Sequence, residues 1–310
     1  MRIAIIGAGA MGSVYAGLLA SAGLEVWAVD RWAEHVDAIR RDGLRVSGAS
    51  GDRVVRLRAT TDARDVGRAD LVVIATKAED VASAARAARD ILAEDGVVLT
   101  IQNGLGAADR VAEIVGADRV LIGVVGGFGA SIVAPGHAHH NGWEFVRLGE
   151  HAGGMTPRLE RIGGIWERGG FRVLLFPDIH RMVWEKFICN VAFSATCTLT
   201  GMTIGEVLAD PEAWGVSAAC ATEAFAVARA RGIAVAIEDP VAYARAFGEK
   251  IPGARPSMLL DHLGRRRSEI DALNGAVPRL AAAVGLTAPV NATVAALVRA
   301  RERAFPAPSR

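Results

Sequence analysis

The first thirty residues constrain the fold more than any other stretch. Arg2–Ile6 is a short apolar run, and Gly7-Ala8-Gly9-Ala10-Met11-Gly12 follows it directly. An amphipathic helical pattern then runs from Met11 to about Ala22, and Gly23 stops it. Glu25–Val29 reads as a second buried strand ending at Asp30. Strand, glycine turn, helix and strand in this order make one βαβ unit, the start of a parallel sheet with both faces covered. Further buried-strand runs at 71–75, 97–101 and 120–125 alternate with helical patterns at about 79–93 and 105–115, which is the doubly wound signature. Residues 44–46 and 54–57 are expected to form an inserted hairpin, and 143–148 and 171–175 two late strands.

Beyond Pro177-Asp178 the strand patterns stop. Ala-rich helices are expected at 180–200, 211–231, 240–250, 257–263, 267–284 and 289–302. In the fifth of these, Ile270, Leu273, Val277, Leu280 and Val284 form one apolar stripe, with Pro278 predicted to kink it. The whole reads as an α/β N-terminal Rossmann domain with a doubly wound, mostly parallel sheet over 1–177, then an all-α C-terminal domain over 178–310. Residues 305–310 are expected to fray.

With 35 basic and 34 acidic residues, the formal charge of +1 leaves no net field to recruit nucleic acid or an anionic membrane. A small molecule is the expected partner. No apolar run is long enough to span a bilayer, and the amino terminus lacks the apolar core of a signal peptide. Cys189, Cys197 and Cys220 lie in apolar helical stretches without CxxC spacing, which reads as buried free thiols in a reducing cytoplasm.

Three glycines alone are weak evidence of a ligand, but here they follow a strand and open a helix. In that setting Gly7 permits the tight turn, Gly9 lets backbone approach a pyrophosphate, Gly12 lets helix and strand pack, and the amides around Ala8, Ala10 and Met11 face the phosphates. Asp30 at the end of the second strand can accept from ribose hydroxyls and repels a 2′-phosphate, which favours NADH. Arg31 could instead pair with that phosphate, which keeps NADPH open. Thr76-Lys77 and Gln102-Asn103-Gly104 follow strand ends, while Lys186, Asn190 and Ser194 are four apart and share one helix face.

On these residues the chain resembles the ketopantoate reductase (2-dehydropantoate 2-reductase) family. The resemblance rests on the glycine turn, Ala75-Thr76-Lys77, Gln102-Asn103-Gly104, Trp184-Glu185-Lys186 with Asn190, Pro256-Ser257-Met258-Leu259, and Ser268-Glu269-Ile270-Asp271-Ala272-Leu273-Asn274-Gly275, in family order over nearly the whole chain. It implies an NAD(P)-dependent reduction of a 2-oxo acid and a homodimer. It further implies that Lys186 is the general acid for the carbonyl oxygen and that Glu269 hydrogen-bonds the reacting hydroxyl. Asn103 would orient nicotinamide and lysine, Lys77 would lie near cofactor and substrate, and Asn190 and Ser257 would bind substrate. Taken from the residues alone, Lys186 also reads as a snorkelling surface lysine, Glu269 as a solvated residue and Ser257 as a helix N-cap.

Ser194 stands where many members carry an asparagine, and Ala254 where some do. Both positions belong to the substrate pocket that the resemblance implies, and these shorter groups leave ketopantoate open against another branched or aromatic 2-oxo acid handled by a D-2-hydroxy acid dehydrogenase. A nucleotide-binding regulatory module without catalysis is the reading from another class. His137, His139 and His140 follow Pro135-Gly136 in an expected loop, and no carboxylate or cysteine spacing completes a metal site.

Overall fold

The computed structural model describes residues 1–127, 129–142 and 145–306. The chain divides into two compact units: Met1–Gln102 with Gly106–Ile179, and Asn103–Leu105 with the residues from His180 on.

The first unit runs β1 (Arg2–Ile6), α1 (Ala10–Ser21), β2 (Glu25–Val29), α2 (Ala33–Asp42), β3 (Leu44–Gly48), β4 (Arg53–Val55), β5 (Arg58–Thr60), β6 (Ala69–Ile74), α3 (Val81–Ile91), β7 (Leu92–Thr100), α4 (Ala107–Val115), β8 (Val120–Val125), β9 (Ala130–Ala134), β10 (His137–His140), β11 (Phe145–Glu150), α5 (Pro157–Arg168) and β12 (Arg172–Phe176). Eight strands form one sheet in the order β12-β11-β8-β7-β6-β1-β2-β5. Pairing is parallel throughout except between β8 and β11, so the sheet is mostly parallel, as the alternating pattern requires. Apolar clusters cover both faces, one built on Ile3, Ile5, Leu71 and Val73 and the other on Ala4, Val72 and Ile74 of the same strands. Successive side chains of a strand point to opposite faces, which is why these runs are apolar without alternation.

The expected hairpin exists, β3 pairing antiparallel with β4. It belongs, however, to a second sheet of order β4-β3-β10-β9 that the sequence pattern did not reveal. The expectation of a loop at His137, His139 and His140 is therefore corrected: these residues form β10, parallel to β3 and antiparallel to β9. Strands of three to five residues with mixed polarity carry too little periodicity to be read alone. Trp143, placed by the sequence reading in the late strand, lies outside the described residues, as do residues 307–310 of the expected tail.

The second unit contains α6 (Ile179–Thr200), α7 (Ile204–Ala209), α8 (Pro211–Ala230), α9 (Pro240–Glu249), α10 (Ser257–Leu263), α11 (Ala276–Ala282) and α12 (Pro289–Glu302). Phe187, Val191 and Ala195 of α6 lie in one apolar core with Cys220 and Ala224 of α8 and Val294 and Val298 of α12. The long helix expected over 267–284 is corrected. Residues 270–275 are turns and α11 begins at Ala276. Gly275 N–H returns to Ile270 O at 2.8 Å, closing the turn, so Pro278 falls in the first helical turn, where its missing N–H costs no bond. Ile270 and Leu273 are buried all the same, because consecutive turns bury residues at the same three-residue spacing as a helix. No described helix is long and apolar enough to cross a membrane.

Candidate functional site

The glycine turn of the first unit is built by close approach of backbone. Gly7 has φ +95°, a conformation that side chains rarely adopt, and a Cβ there would lie 2.6 Å from Thr76 N. A Cβ on Gly12 would lie 2.0 Å from Gly7 O and 3.3 Å from Ile5 Cγ2, so that glycine is what lets α1 sit against its own turn. Gly9 differs, since a Cβ there would meet nothing within 4 Å. Gly9 caps α1 without any side-chain bond, and the first turn holds no acidic residue. The amides of Ala10, Met11 and Gly12 therefore have no acceptor within the helix, and the positive end of its dipole is not neutralised locally. Open space over Gly9 and donors beneath it fit a pyrophosphate, the group that this turn would hold in a dinucleotide.

Asp30 lies one residue beyond β2, its Oδ1 accepting from Trp32 N–H at 2.9 Å. Arg31, expected to compete for a 2′-phosphate, is exposed and forms a two-pronged pair with Asp80, at 3.2 Å through Nη1 and 2.9 Å through Nη2. Lys77 is exposed at the start of the 3-10 turn Ala78–Asp80 that carries Asp80. Gln102 joins neighbouring strand ends: its Nε2 donates to Ile74 O at 2.7 Å and to Thr76 O at 3.2 Å, and its Oε1 accepts from Thr100 Oγ1. Its flanking of Asn103 was visible in the sequence, but this bracing role was not.

The second unit brings together residues far apart in sequence. Lys186 Nζ donates to Asn103 Oδ1 at 2.8 Å. Both residues are half-buried. Lys186 thus directs one N–H bond at a carboxamide oxygen, which orients its amino group. The loop bearing Asn103 is pressed on the turn that follows Glu269. Leu105 N–H donates to Ala272 O at 3.0 Å, and a Cβ on Gly104 would lie 2.3 Å from that same oxygen. Only glycine fits between them. The amides of Ala272 and Leu273 donate to Glu269 O, so Glu269 opens the turn on which the Asn103 loop rests.

Asn274 ties this turn to α6. It is fully buried, its Nδ2 donating to Val191 O at 2.8 Å and to Asn291 Oδ1 at 2.9 Å. Asn291 in turn donates to Cys220 O and Glu223 Oε2. Two buried amides in series are expensive unless paired, so the network dictates one position for the turn. The sequence placed Asn274 in a motif without giving it this work. Glu185, beside Lys186, is likewise buried and accepts from Arg181 Nε and Ala236 N–H, both at 2.8 Å.

Of the expected substrate residues, Asn190 is half-buried one helical turn after Lys186, whereas Ser194 is only 5% exposed, and its carbonyl accepts from Thr198 Oγ1 at 2.6 Å. Ser257 is exposed at the first position of α10, with Pro256 as the cap, so the N-cap reading of Ser257 does not hold. The three cysteines are buried with thiols pushed up to about 12 by burial, which leaves them protonated. His137 Nε2 and His139 Nδ1 both contact Ser47 Oγ, at 2.8 and 3.2 Å. Among the described residues no group of three or more His, Cys, Asp or Glu side chains is placed to hold a metal ion.

The chain is similar to known proteins over both units. Residues 3–153 match the family described as Ketopantoate reductase PanE/ApbA, and residues 178–302 match its C-terminal counterpart. A 2-dehydropantoate 2-reductase of Halobacterium salinarum is 36% identical over 304 residues, 98% of this chain and 99% of that protein. The crystal structure of a PanE/ApbA family ketopantoate reductase from Ralstonia eutropha JMP134 superposes with a TM-score of 0.89 at 34% identity, covering 98% of this chain and 99% of that one. D-mandelate dehydrogenase, solved with NADH and anilino(oxo)acetate, gives 0.88 at 26% identity, over 98% of this chain and 99% of its own. Matched over both units and nearly end to end, the chain belongs to the ketopantoate reductase family.

Proposed function

We propose that this protein reduces 2-dehydropantoate to pantoate with NAD(P)H, residues 1–177 holding the dinucleotide and 178–310 the substrate. The observation that carries the reading is the 2.8 Å bond from Lys186 Nζ to Asn103 Oδ1, which sets the lysine amino group in a fixed direction. When bound, the dinucleotide supplies the hydride. As the carbonyl carbon of the 2-oxo acid gains that hydride, its oxygen takes up negative charge, and Lys186 donates a proton to it, to be reprotonated from solvent. Asn103 keeps the ammonium aimed, and Glu269 accepts from the new hydroxyl. Asn190, Ser194 and Ser257 supply donors for the substrate's carboxylate and hydroxyl. Lys77 and the turn from Gly7 to Gly12 hold the dinucleotide.

For the dinucleotide we favour NADH. Asp30 presents a carboxylate at the end of β2, and the guanidinium of Arg31 is engaged by Asp80. A second reading, a D-2-hydroxy acid dehydrogenase acting on a bulkier branched or aromatic 2-oxo acid, draws support from the burial of Ser194 and from the likeness to D-mandelate dehydrogenase. The proposal extends to a cytoplasmic enzyme and to a homodimer, the dimer supported by Leu263 and Leu297, which stay 60% and 52% exposed on α10 and α12. A panel of 2-oxo acids assayed with NADH and NADPH tests the assignment. 2-Dehydropantoate with NADH should give the highest kcat/KM. Preference for an aromatic acid would install the second reading, and dinucleotide binding without turnover of any acid would leave only a regulatory module.

A further inference from the structure

His35 lies outside every residue so far given a role, yet it is fully buried and hydrogen-bonded on both ring nitrogens. On one side Gly136 N–H, in the turn between β9 and β10, donates to Nδ1 at 3.0 Å. A backbone amide can only donate, so Nδ1 must carry a lone pair, and the neutral ring holds its proton on Nε2. That nitrogen lies 3.1 Å from Ser13 Oγ and donates to it. The Ser13 hydroxyl, having accepted, donates onward to Ala8 O at 2.8 Å. The direction of every proton in the chain from Gly136 to Ala8 is thereby settled.

The end of this relay is the glycine turn. Ala8 O belongs to the Ala8–Gly9 peptide, and in a trans peptide the carbonyl and the following N–H point to opposite sides of the plane. The structure contains no cis peptide bond among the described residues. A carbonyl drawn inward to the buried Ser13 therefore turns the Gly9 N–H outward, and Gly9 is the residue with open space above it. The Ala8 N–H, which donates to Val29 O at 3.2 Å, fixes the preceding plane, so one orientation of the turn remains.

The surroundings favour a neutral ring. Burial pushes the His35 imidazole below its usual range, against a smaller opposing pull from Asp30. Trp32 stacks on it with ring centroids 5.0 Å apart. Helix α1 contributes no charged side chain, and the ring of His137 on β10 is turned to Ser47. Gly136 itself fits close to α2, where a Cβ would lie 3.0 Å from Ala38 Cβ.

We propose that His35, acting through Ser13, is a positioning residue for dinucleotide binding: the relay from the second sheet orients the Ala8–Gly9 peptide so that its N–H faces the pyrophosphate. This rests on the dinucleotide reading above. The test measures NADH binding directly, by fluorescence titration without any 2-oxo acid, together with kcat, the KM for the oxo acid and the Tm. Ser13→Cys keeps the volume but weakens the hydrogen bonds, and His35→Asn keeps an acceptor for Gly136 while losing the donor to Ser13. Each should weaken NADH binding by about tenfold, with kcat and oxo-acid KM within about twofold. His35→Gln, whose amide can stand in for the Nε2 donor, should recover most of the loss. Wild-type NADH affinity in folded Ser13→Cys and His35→Asn would overturn the proposal, as would a loss in which kcat and oxo-acid KM change equally with binding. A wild-type protein that binds no dinucleotide would overturn the reading beneath it instead.

Discussion

The glycine turn and the Lys186 site are made by opposite means. The turn is six consecutive residues whose work is done by backbone, and three of them matter for what they lack. The Lys186 site gathers Asn103, Lys186 and the turn after Glu269 from three places in the chain, and side-chain hydrogen bonds hold it in register. The first kind of site is specified locally and fails by steric intrusion. The second is specified by a buried polar network and fails when one partner is removed.

The strongest way to sharpen this contrast is Lys186→Ala. Loss of the proposed proton donor should lower kcat by about 10²–10⁴-fold while leaving NADH affinity and Tm near wild type, as stopped-flow kinetics and calorimetry would show. Unchanged turnover would remove Lys186 from the chemistry. At the other site two alanines should separate packing from ligand approach. Gly12→Ala meets Gly7 O at 2.0 Å and should cost about 3 kcal/mol of stability. Gly9→Ala meets nothing in the protein and should keep its Tm while losing roughly tenfold in NADH affinity. Equal melting of the two would erase that distinction.

Asn274→Ala touches no proposed ligand, yet it removes the buried donor to Val191 O and to Asn291 Oδ1 and should destabilise the fold by about 2 kcal/mol in urea titration. Its kcat should fall too, because the turn carrying Glu269 loses its tether. The smallest effect is expected from Asp80→Ala. Releasing the exposed Arg31 should raise the NADPH-to-NADH ratio of kcat/KM by only about threefold, since such pairs are weak in water. A ratio that does not move would mean that Asp80 does not restrain Arg31.

The same contrast explains what was legible in the sequence. The βαβ unit, the buried strands of the large sheet and the long α6 were readable because their signals are local and periodic. Helices α2 and α5, the four-stranded sheet and α7 were not, being short or half-polar. The apolar spacing through Ile270, Leu273 and Val277 misled, since successive turns stabilised by Asn274 bury the same positions as a helix. The residues proposed for chemistry were named from motif order. What supports them, namely Gln102 across two strand ends, Asn274 against α6 and His35 behind the turn, consists of polar groups with partners as far as 28, 83 and 101 residues away. Pairings at that distance leave no pattern in a single sequence.

Residues 103–105 belong to the second unit although they interrupt the chain of the first. A cut at residue 179 therefore divides the residues of one compact unit between two fragments. A fragment beginning at His180 would carry Lys186 without its Asn103 acceptor and Ala272 O without the Leu105 amide, while the amino-terminal piece would keep three residues that have nothing to rest on. Split-protein complementation or domain exchange among relatives would have to carry this tripeptide with the helical half, and a chimera joined only at residue 179 would inherit a lysine from one parent and its orienting amide from the other.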